Sequence, residues 1–299
     1  MTASRQSSPT RAVVLGGGGA VGIGWQTGLL AGLGEAGIDL ADADFIVGTS
    51  AGAFVGALLS SGRDVTDALA SLAALGKSID PDTLAAGDGA FLGTMRQAAR
   101  DTDPGHALRA IGRAAREAST PTEDMYLGLF DTLGGSAWPA AFRCTATDTD
   151  TGETVVWDDR SGISLQYAVA ASCVVPVLFP TITIAGRHYM DGGILSHVNA
   201  TAAPPTDVLV VLSCHPLGSR GGGGGGSLAA SVTPDAELAP LRRTRRVVAV
   251  APDFHDIEAP ANMMDPNQAI AAFQIGKAQA KAEAVNIRAS WSSEGTTIR

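Results

Sequence analysis

Gly48-Thr49-Ser50-Ala51-Gly52 sets a serine at the centre of G-x-S-x-G, directly after the apolar run Phe45-Ile46-Val47 and ahead of a helical stretch, Ala53 to Ser60. Between a strand and a helix, such glycines let the chain reverse sharply and lift the hydroxyl above a sheet edge, making Ser50 a candidate nucleophile. The same residues also read as a plain glycine-rich turn with an exposed serine. A hydroxyl nucleophile needs a base, and the candidate is Asp191, in Tyr189-Met190-Asp191-Gly192-Gly193. If the fold brings the two together, the carboxylate can take the serine proton directly. By itself that segment equally reads as an Asx turn. The third element is Gly16-Gly17-Gly18-Gly19, whose backbone N–H groups can converge where a helix begins and cradle an anion or a developing oxyanion.

Two further chemistries are open on these residues. Gly17, Gly19 and Gly22 satisfy G-x-G-x-x-G with Asp39 near the expected acidic position, the pattern of a dinucleotide-binding oxidoreductase. His197, His215 and His255 follow Asp191, so a Ser-His-Asp hydrolase is also compatible with the chain order. None of these three sits in a supporting motif, and surface loop roles are the simpler reading of His188 and His197, which favours a Ser-Asp dyad over a triad. A lipid-binding module with a vestigial dyad is the non-enzymatic alternative.

These groups need a scaffold. Ala12 to Leu15 reads as a buried strand, followed by a glycine turn and a helix from about Gly22 to Glu35. Phe45 to Val47, the Gly48–Gly52 turn and Ala53 to Ser60 repeat that unit, and two strand-turn-helix units imply a parallel sheet with helices on its faces. From about 62 to 138 the pattern is helical, with stretches at Val65 to Leu75 and His106 to Ala118, and predicts an inserted helical lobe. Its Phe91, Leu92 and Met95 are candidates either for an acyl-chain groove or for ordinary packing. Strands are expected at Ala141 to Ala146, Glu153 to Trp157, Thr181 to Ile184, His188 to Met190, Val208 to Leu212 and Val247 to Val250. Helices are expected near Ser164 to Ser172 and from Asn267 to Arg288. Six consecutive glycines, Gly221 to Gly226, predict a flexible loop at about 217–227. The polar residues 1–10 and residues 291–299 read as tails around one catalytic domain, 11–290.

Composition narrows the partners. The 299 residues carry 21 Lys and Arg against 30 Asp and Glu, a net charge of −9, which argues against nucleic acid as a partner. Three cysteines, Cys144, Cys173 and Cys214, make neither a disulfide framework nor a C-x-x-C site, so no metal and no cofactor are expected. No secretory signal and no spanning segment is visible, and the expectation is a cytoplasmic protein compatible with peripheral contact with lipid. Arg242, Arg243, Arg245 and Arg246 offer a candidate lipid head-group patch, or a solvated loop that offsets an acidic surface.

The ordered set of a glycine run after the first strand, G-x-S-x-G after the next and D-G-G far downstream resembles the patatin-like phospholipase family. Ala171-Ser172-Cys173-Val174-Val175-Pro176-Val177-Leu178-Phe179-Pro180 is similar to the family's small-residue and proline segment before D-G-G. The resemblance implies a three-layer α/β/α fold with a mainly parallel sheet, and a Ser-Asp dyad that cleaves carboxylic esters of lipids without calcium through an acyl-enzyme. Carried over, Ser50 is the nucleophile and Asp191 the base. Gly17, Gly18 and Gly19 form the oxyanion hole, and Gly48, Gly52, Gly192 and Gly193 support the turns. Family members commonly carry Arg or Lys two positions after the glycine run. Here that residue is Val21, a departure that turns the expectation from phospholipids towards a neutral ester.

Overall fold

The computed structural model describes residues 9–78, 81–218, 233–252 and 263–291, with backbone alone at 74–78 and 81–88. The glycine loop from 219 onward, most of the amino-terminal tail and residues 292–299 lie outside the described residues.

Among the described residues eight strands form one sheet: β1 (Arg11–Leu15), β2 (Phe45–Thr49), β3 (Phe142–Asp148), β4 (Thr154–Trp157), β5 (Ile182–Ile184), β6 (Arg187–Asp191), β7 (Val208–Leu212) and β8 (Arg246–Val250). Their order is β5-β6-β3-β2-β1-β7-β8, with β4 also paired to β3. The stretch from β3 through β2, β1 and β7 to β8 is parallel, and β4, β5 and β6 enter by antiparallel pairing. Strands covered on both faces carry continuous apolar runs, as Val208-Leu209-Val210-Val211-Leu212 does, with every residue buried.

Successive side chains alternate between two cores. Val13, Leu15, Ile46, Val210 and Leu212 pack under α1 (Gly19–Glu35), α2 (Ala51–Ser60), α7 (Leu165–Ser172) and α9 (Ala269–Trp291). Ala12, Val14, Val47, Leu209 and Val211 face the other way, onto Val198, Ala200 and Leu238 of α8 (Pro234–Leu241). The result is three layers, helix, sheet and helix.

Helix α1 is buried almost all round because α9 lies across it at backbone contact. A Cβ on Gly24 would sit 2.1 Å from the Ala269 carbonyl oxygen, and one on Gly28 2.0 Å from that of Phe273. Residues 62–138 hold α3 (Asp67–Ser78), α4 (Pro81–Ala98), α5 (Pro104–Glu117) and α6 (Glu123–Gly128). Met95 is fully buried and Phe91 packs against the main core, so ordinary packing accounts for both. The lobe is tied to the sheet by Glu123, whose carboxylate accepts from Thr183 N at 2.8 Å and Thr183 Oγ1 at 2.9 Å. Among the described residues no helix is long and apolar enough to cross a membrane.

Candidate active site

Parallel strands deliver their carboxyl ends to one edge, and the candidate residues gather there. No loop separates β2 from α2: Thr49 ends the strand, Ala51 begins the helix, and Ser50 alone makes the corner at φ 52° and ψ −121°. A non-glycine residue in that region is strained, and the strain is held by close packing on both sides. A Cβ on Gly48 would lie 2.5 Å from Ala53 Cα, and one on Gly52 2.0 Å from the Leu15 carbonyl oxygen. Both glycines of G-x-S-x-G are therefore required by contact distance. Ser50 N donates to Ser172 Oγ at 2.8 Å, and Cys173 Sγ lies 3.1 Å from the Ser50 carbonyl oxygen as its donor.

Asp191 arrives from the opposite direction. Strand β4 occupies one edge of β3 over Cys144–Thr147, so β2 and β6 share the other edge end to end. Thr49 stands opposite Thr145 and Asp191 opposite the next residue, Ala146, which brings the two strand ends together. Ser50 Oγ donates to Asp191 Oδ2 at 2.6 Å, and Gly193 N donates to Oδ1 at 2.6 Å. Backbone bonds fix the carboxylate further: Asp191 N donates to Val174 O at 2.8 Å, and Thr147 Oγ1 donates to Asp191 O at 2.9 Å. Ser50 is 8% and Asp191 6% exposed. Burial pushes the carboxyl up from 3.8 to about 7, against the opposing pull of its bonds from Ser50 and Gly193.

The glycine run borders this pair. A Cβ on Gly17 would come within 3.2 Å of Ser50 Cβ, and one on Gly18 within 2.3 Å of Cys214 Cβ. Three oxyanion donors were expected, but Gly17 does not supply one, because its N–H is already bonded to the His197 carbonyl at 2.7 Å. Gly18 N, Gly19 N and Ala51 N have no acceptor among the described residues. They stand at the amino ends of α1 and α2, where the helix dipoles add to their pull on negative charge.

Among the described residues neither rival chemistry finds its geometry. Asp39 precedes β2 and caps the short turn Leu40–Asp42 by accepting from Ala41 N at 2.8 Å. It thus lies at the amino end of the sheet, away from the glycine turn it would have to face in a dinucleotide site. No ring nitrogen of His197 or His215 bonds to Ser50 or Asp191. His188 Nδ1 faces Thr181 and Thr183, and His106 pairs with Asp101. His255 lies outside the described residues. Among the described residues no cluster of His, Cys, Asp or Glu is arranged to hold a metal ion.

The arginine cluster is likewise remote. Arg246 begins β8 opposite Val208, so the cluster marks the amino end of the parallel strands, about 16 Å from the carboxyl end for a five-residue strand. There Arg242 pairs with Asp235 at 3.0 Å and Arg245 donates to Pro204 O at 2.9 Å.

The family model for the patatin-like phospholipases matches residues 13–204, a stretch that includes both Ser50 and Asp191. The chain belongs to the patatin-like phospholipase family. Among solved structures, this patatin-like chain is similar to VipD from Legionella pneumophila, at 14% identity and TM-score 0.44 over 94% of this chain and 67% of VipD. It is also similar to the type III effector ExoU, at 16% identity and TM-score 0.42 over 94% of this chain and 53% of that protein. ExoU in complex with SpcU from Pseudomonas aeruginosa matches at 17% identity and TM-score 0.37, over 93% and 53%. The patatin-like chain thus spans about half the length of ExoU. No curated protein matches it by sequence.

Several residues that shape the site escaped the sequence reading. Asn199, in the left-handed region at φ 52°, donates through Nδ2 to Gly192 O at 2.9 Å, Ser196 O at 2.8 Å and Thr49 Oγ1 at 3.2 Å, joining the D-G-G turn to the end of β2. Ser172 and Thr147 hold the backbones of the two candidate residues. Small polar residues at element ends have no distinguishing pattern, and the one available signal for Asn199 is its place a few residues beyond D-G-G.

Proposed function

We propose that this protein is a serine acyl hydrolase acting on carboxylic esters of lipids, with Ser50 as nucleophile and Asp191 as its base. What carries the reading is the 2.6 Å hydrogen bond from Ser50 Oγ to a buried carboxylate. The displaced pKa makes that carboxylate a far better base than a solvated aspartate. Ser50 Oγ bonds to the ester carbonyl carbon while its proton passes to Asp191 Oδ2. The carbonyl oxygen becomes an oxyanion beside the N–H groups of Gly18, Gly19 and Ala51, each such donor contributing roughly 2.7–4 kcal/mol in acyl transfer. Collapse breaks the ester C–O bond, Asp191 returns the proton to the leaving alkoxide, and a water activated by the same carboxylate releases the acid from Ser50.

Lipid as the substrate class follows the family and agrees with the apolar wall beside the nucleophile. Phe54, one turn beyond Ser50, meets Phe130 edge-on at 5.6 Å, and Tyr126 lies between Phe130 and Phe179. An active-site-directed fluorophosphonate followed by peptide mapping tests the assignment. Label is expected on Ser50, none on Ser50→Ala, and Asp191→Asn is expected to lower ester turnover by roughly 10²–10⁴-fold. Label on another residue, or undiminished turnover in both variants, would refute it.

A further inference from the structure

Beside the glycine turn lie two imidazoles that the chemistry above leaves unused. His197 follows the D-G-G turn and His215 follows β7, and their rings stack with centroids 4.0 Å apart at 25°. Both residues are half-buried and therefore reachable. The point where a Cβ on Gly193 would sit is 3.0 Å from Asp191 Oδ1, 3.6 Å from His197 Nδ1 and 3.6 Å from Thr49 Cγ2, so carboxylate and imidazole both pack against this glycine. The backbone of His197 holds Gly17, the glycine that touches Ser50. The pair thus borders the dyad on the side of Gly17 and Gly193.

None of the four ring nitrogens has a hydrogen-bond partner among the described residues. Neither ring buries an unpartnered nitrogen, so these atoms stay open to a ligand or to water. Burial pushes His215 down to about 4 and holds His197 well below the usual imidazole range, with His215 opposing a second charge. At neutral pH both rings are uncharged, and each offers one donor and one acceptor. No Lys or Arg among the described residues acts electrostatically on Asp191, His197 or His215. Val21 is buried and donates its N–H to Met263 O at 3.0 Å, and the arginine cluster sits at the far end of the sheet. A phosphate brought against the two rings would lose its hydration without meeting a cationic side chain, the nearby helix amino ends being taken by the ester's own oxyanion, whereas hydroxyl groups match neutral donors and acceptors.

We propose that His197 and His215 bind the alcohol half of the ester and select an uncharged, hydroxyl-bearing alcohol, such as that of a monoacylglycerol, over a phosphate-bearing one. The assignment rests on hydrolysis at Ser50.

The test compares kcat/KM of the full chain for monooleoylglycerol, for lysophosphatidic acid with the same acyl chain, and for a p-nitrophenyl ester that lacks a polar alcohol. The wild-type protein is expected to favour the acylglycerol over the phosphate by tenfold or more. His197→Phe and His215→Phe keep a flat ring and delete the nitrogens. In each, the acylglycerol to p-nitrophenyl ester ratio is expected to fall about tenfold, the loss of one hydrogen bond. His197→Asn, which restores a donor and an acceptor, is expected to recover part of it. Equal use of the two lysolipids, or an equal loss on acylglycerol and p-nitrophenyl ester, overturns the assignment. Should fluorophosphonate label Ser50 while that selectivity is missing, the alcohol site falls and the hydrolase stands. Absence of both label and turnover removes the hydrolase, and the alcohol site with it.

Discussion

Replacing Asp191 by Asn should stabilise the protein at the pH where it should also disable it. In the fold the carboxyl ionises near 7, against 3.8 ordinarily, because burial penalises the anion more than Ser50 and Gly193 favour it. The native state therefore holds a proton that the unfolded chain releases between those values. Stability from this group is fully present below about 3.8, declines as pH rises through the window, and is lost above about 7. At about 1.4 kcal/mol per unit, the penalty at pH 8 is on the order of 4 kcal/mol. Asparagine keeps the shape, can accept from Gly193 N and donate to Ser50 Oγ, and cannot ionise. Denaturant unfolding at pH 8 should therefore find Asp191→Asn more stable by that order, with a rise in Tm of roughly 10 °C, and the gap should shrink towards zero near pH 4. A variant less stable than wild type at pH 8, or a gap of the same size at both pH values, would refute the reasoning. The same ionisation should make wild-type kcat/KM climb with pH through about 7, since only the anion takes the serine proton.

Two other perturbations test the surroundings. Asn199→Ala removes the donor that joins Gly192, Ser196 and Thr49, and should cost about 1–3 kcal/mol of stability with kcat falling more than KM changes. Unaltered turnover would show that the D-G-G turn is held by other contacts. Burial pushes the Cys144 and Cys214 thiols up to about 12 and raises Cys173 above the usual thiol range, so native protein should resist iodoacetamide at neutral pH and react at all three in urea. Fast native alkylation of Cys173 would contradict a thiol held protonated beside Ser50.

The parallel core was legible because β1 after Arg11 and β7 throughout are apolar without interruption and both β1 and β2 run into glycine-rich turns, whereas β3, with Arg143, Thr145 and Thr147 in it, shows a weaker signal. The strand and helix ends read from the sequence lie within three residues of the observed ones at both glycine turns. Helix α4 was missed because Gly87, Gly89 and Gly93 dilute its periodicity, and α8 because it is short and contains Pro240. At the site, residue types and order singled out Ser50 and Asp191, since few other patterns put a serine and an acid at strand ends beside glycines. Which glycine N–H groups remain open was not legible: Gly17 is engaged by a carbonyl that reaches it only through the fold. The stacking of His197 on His215 is hidden for the same reason, because its members belong to separate connections that meet only above the finished sheet.

The end-to-end meeting of β2 and β6 along one side of β3 has a consequence for how the molecule matures. Ser50 and Asp191 are 141 positions apart, so no local segment emerging during synthesis can join them. Closing so long a loop carries an entropic burden that only the docked sheet offsets. A nascent or partly opened chain has Ser50 without Asp191 beside it, so on the proposed reading no hydrolysis is possible until β6 is seated against β3. The spacing of Ser50 and Asp191 is set by the ladder of β3, and the helical excursion between them is tethered through Glu123 and Tyr126, so its intervening loops are where length can change.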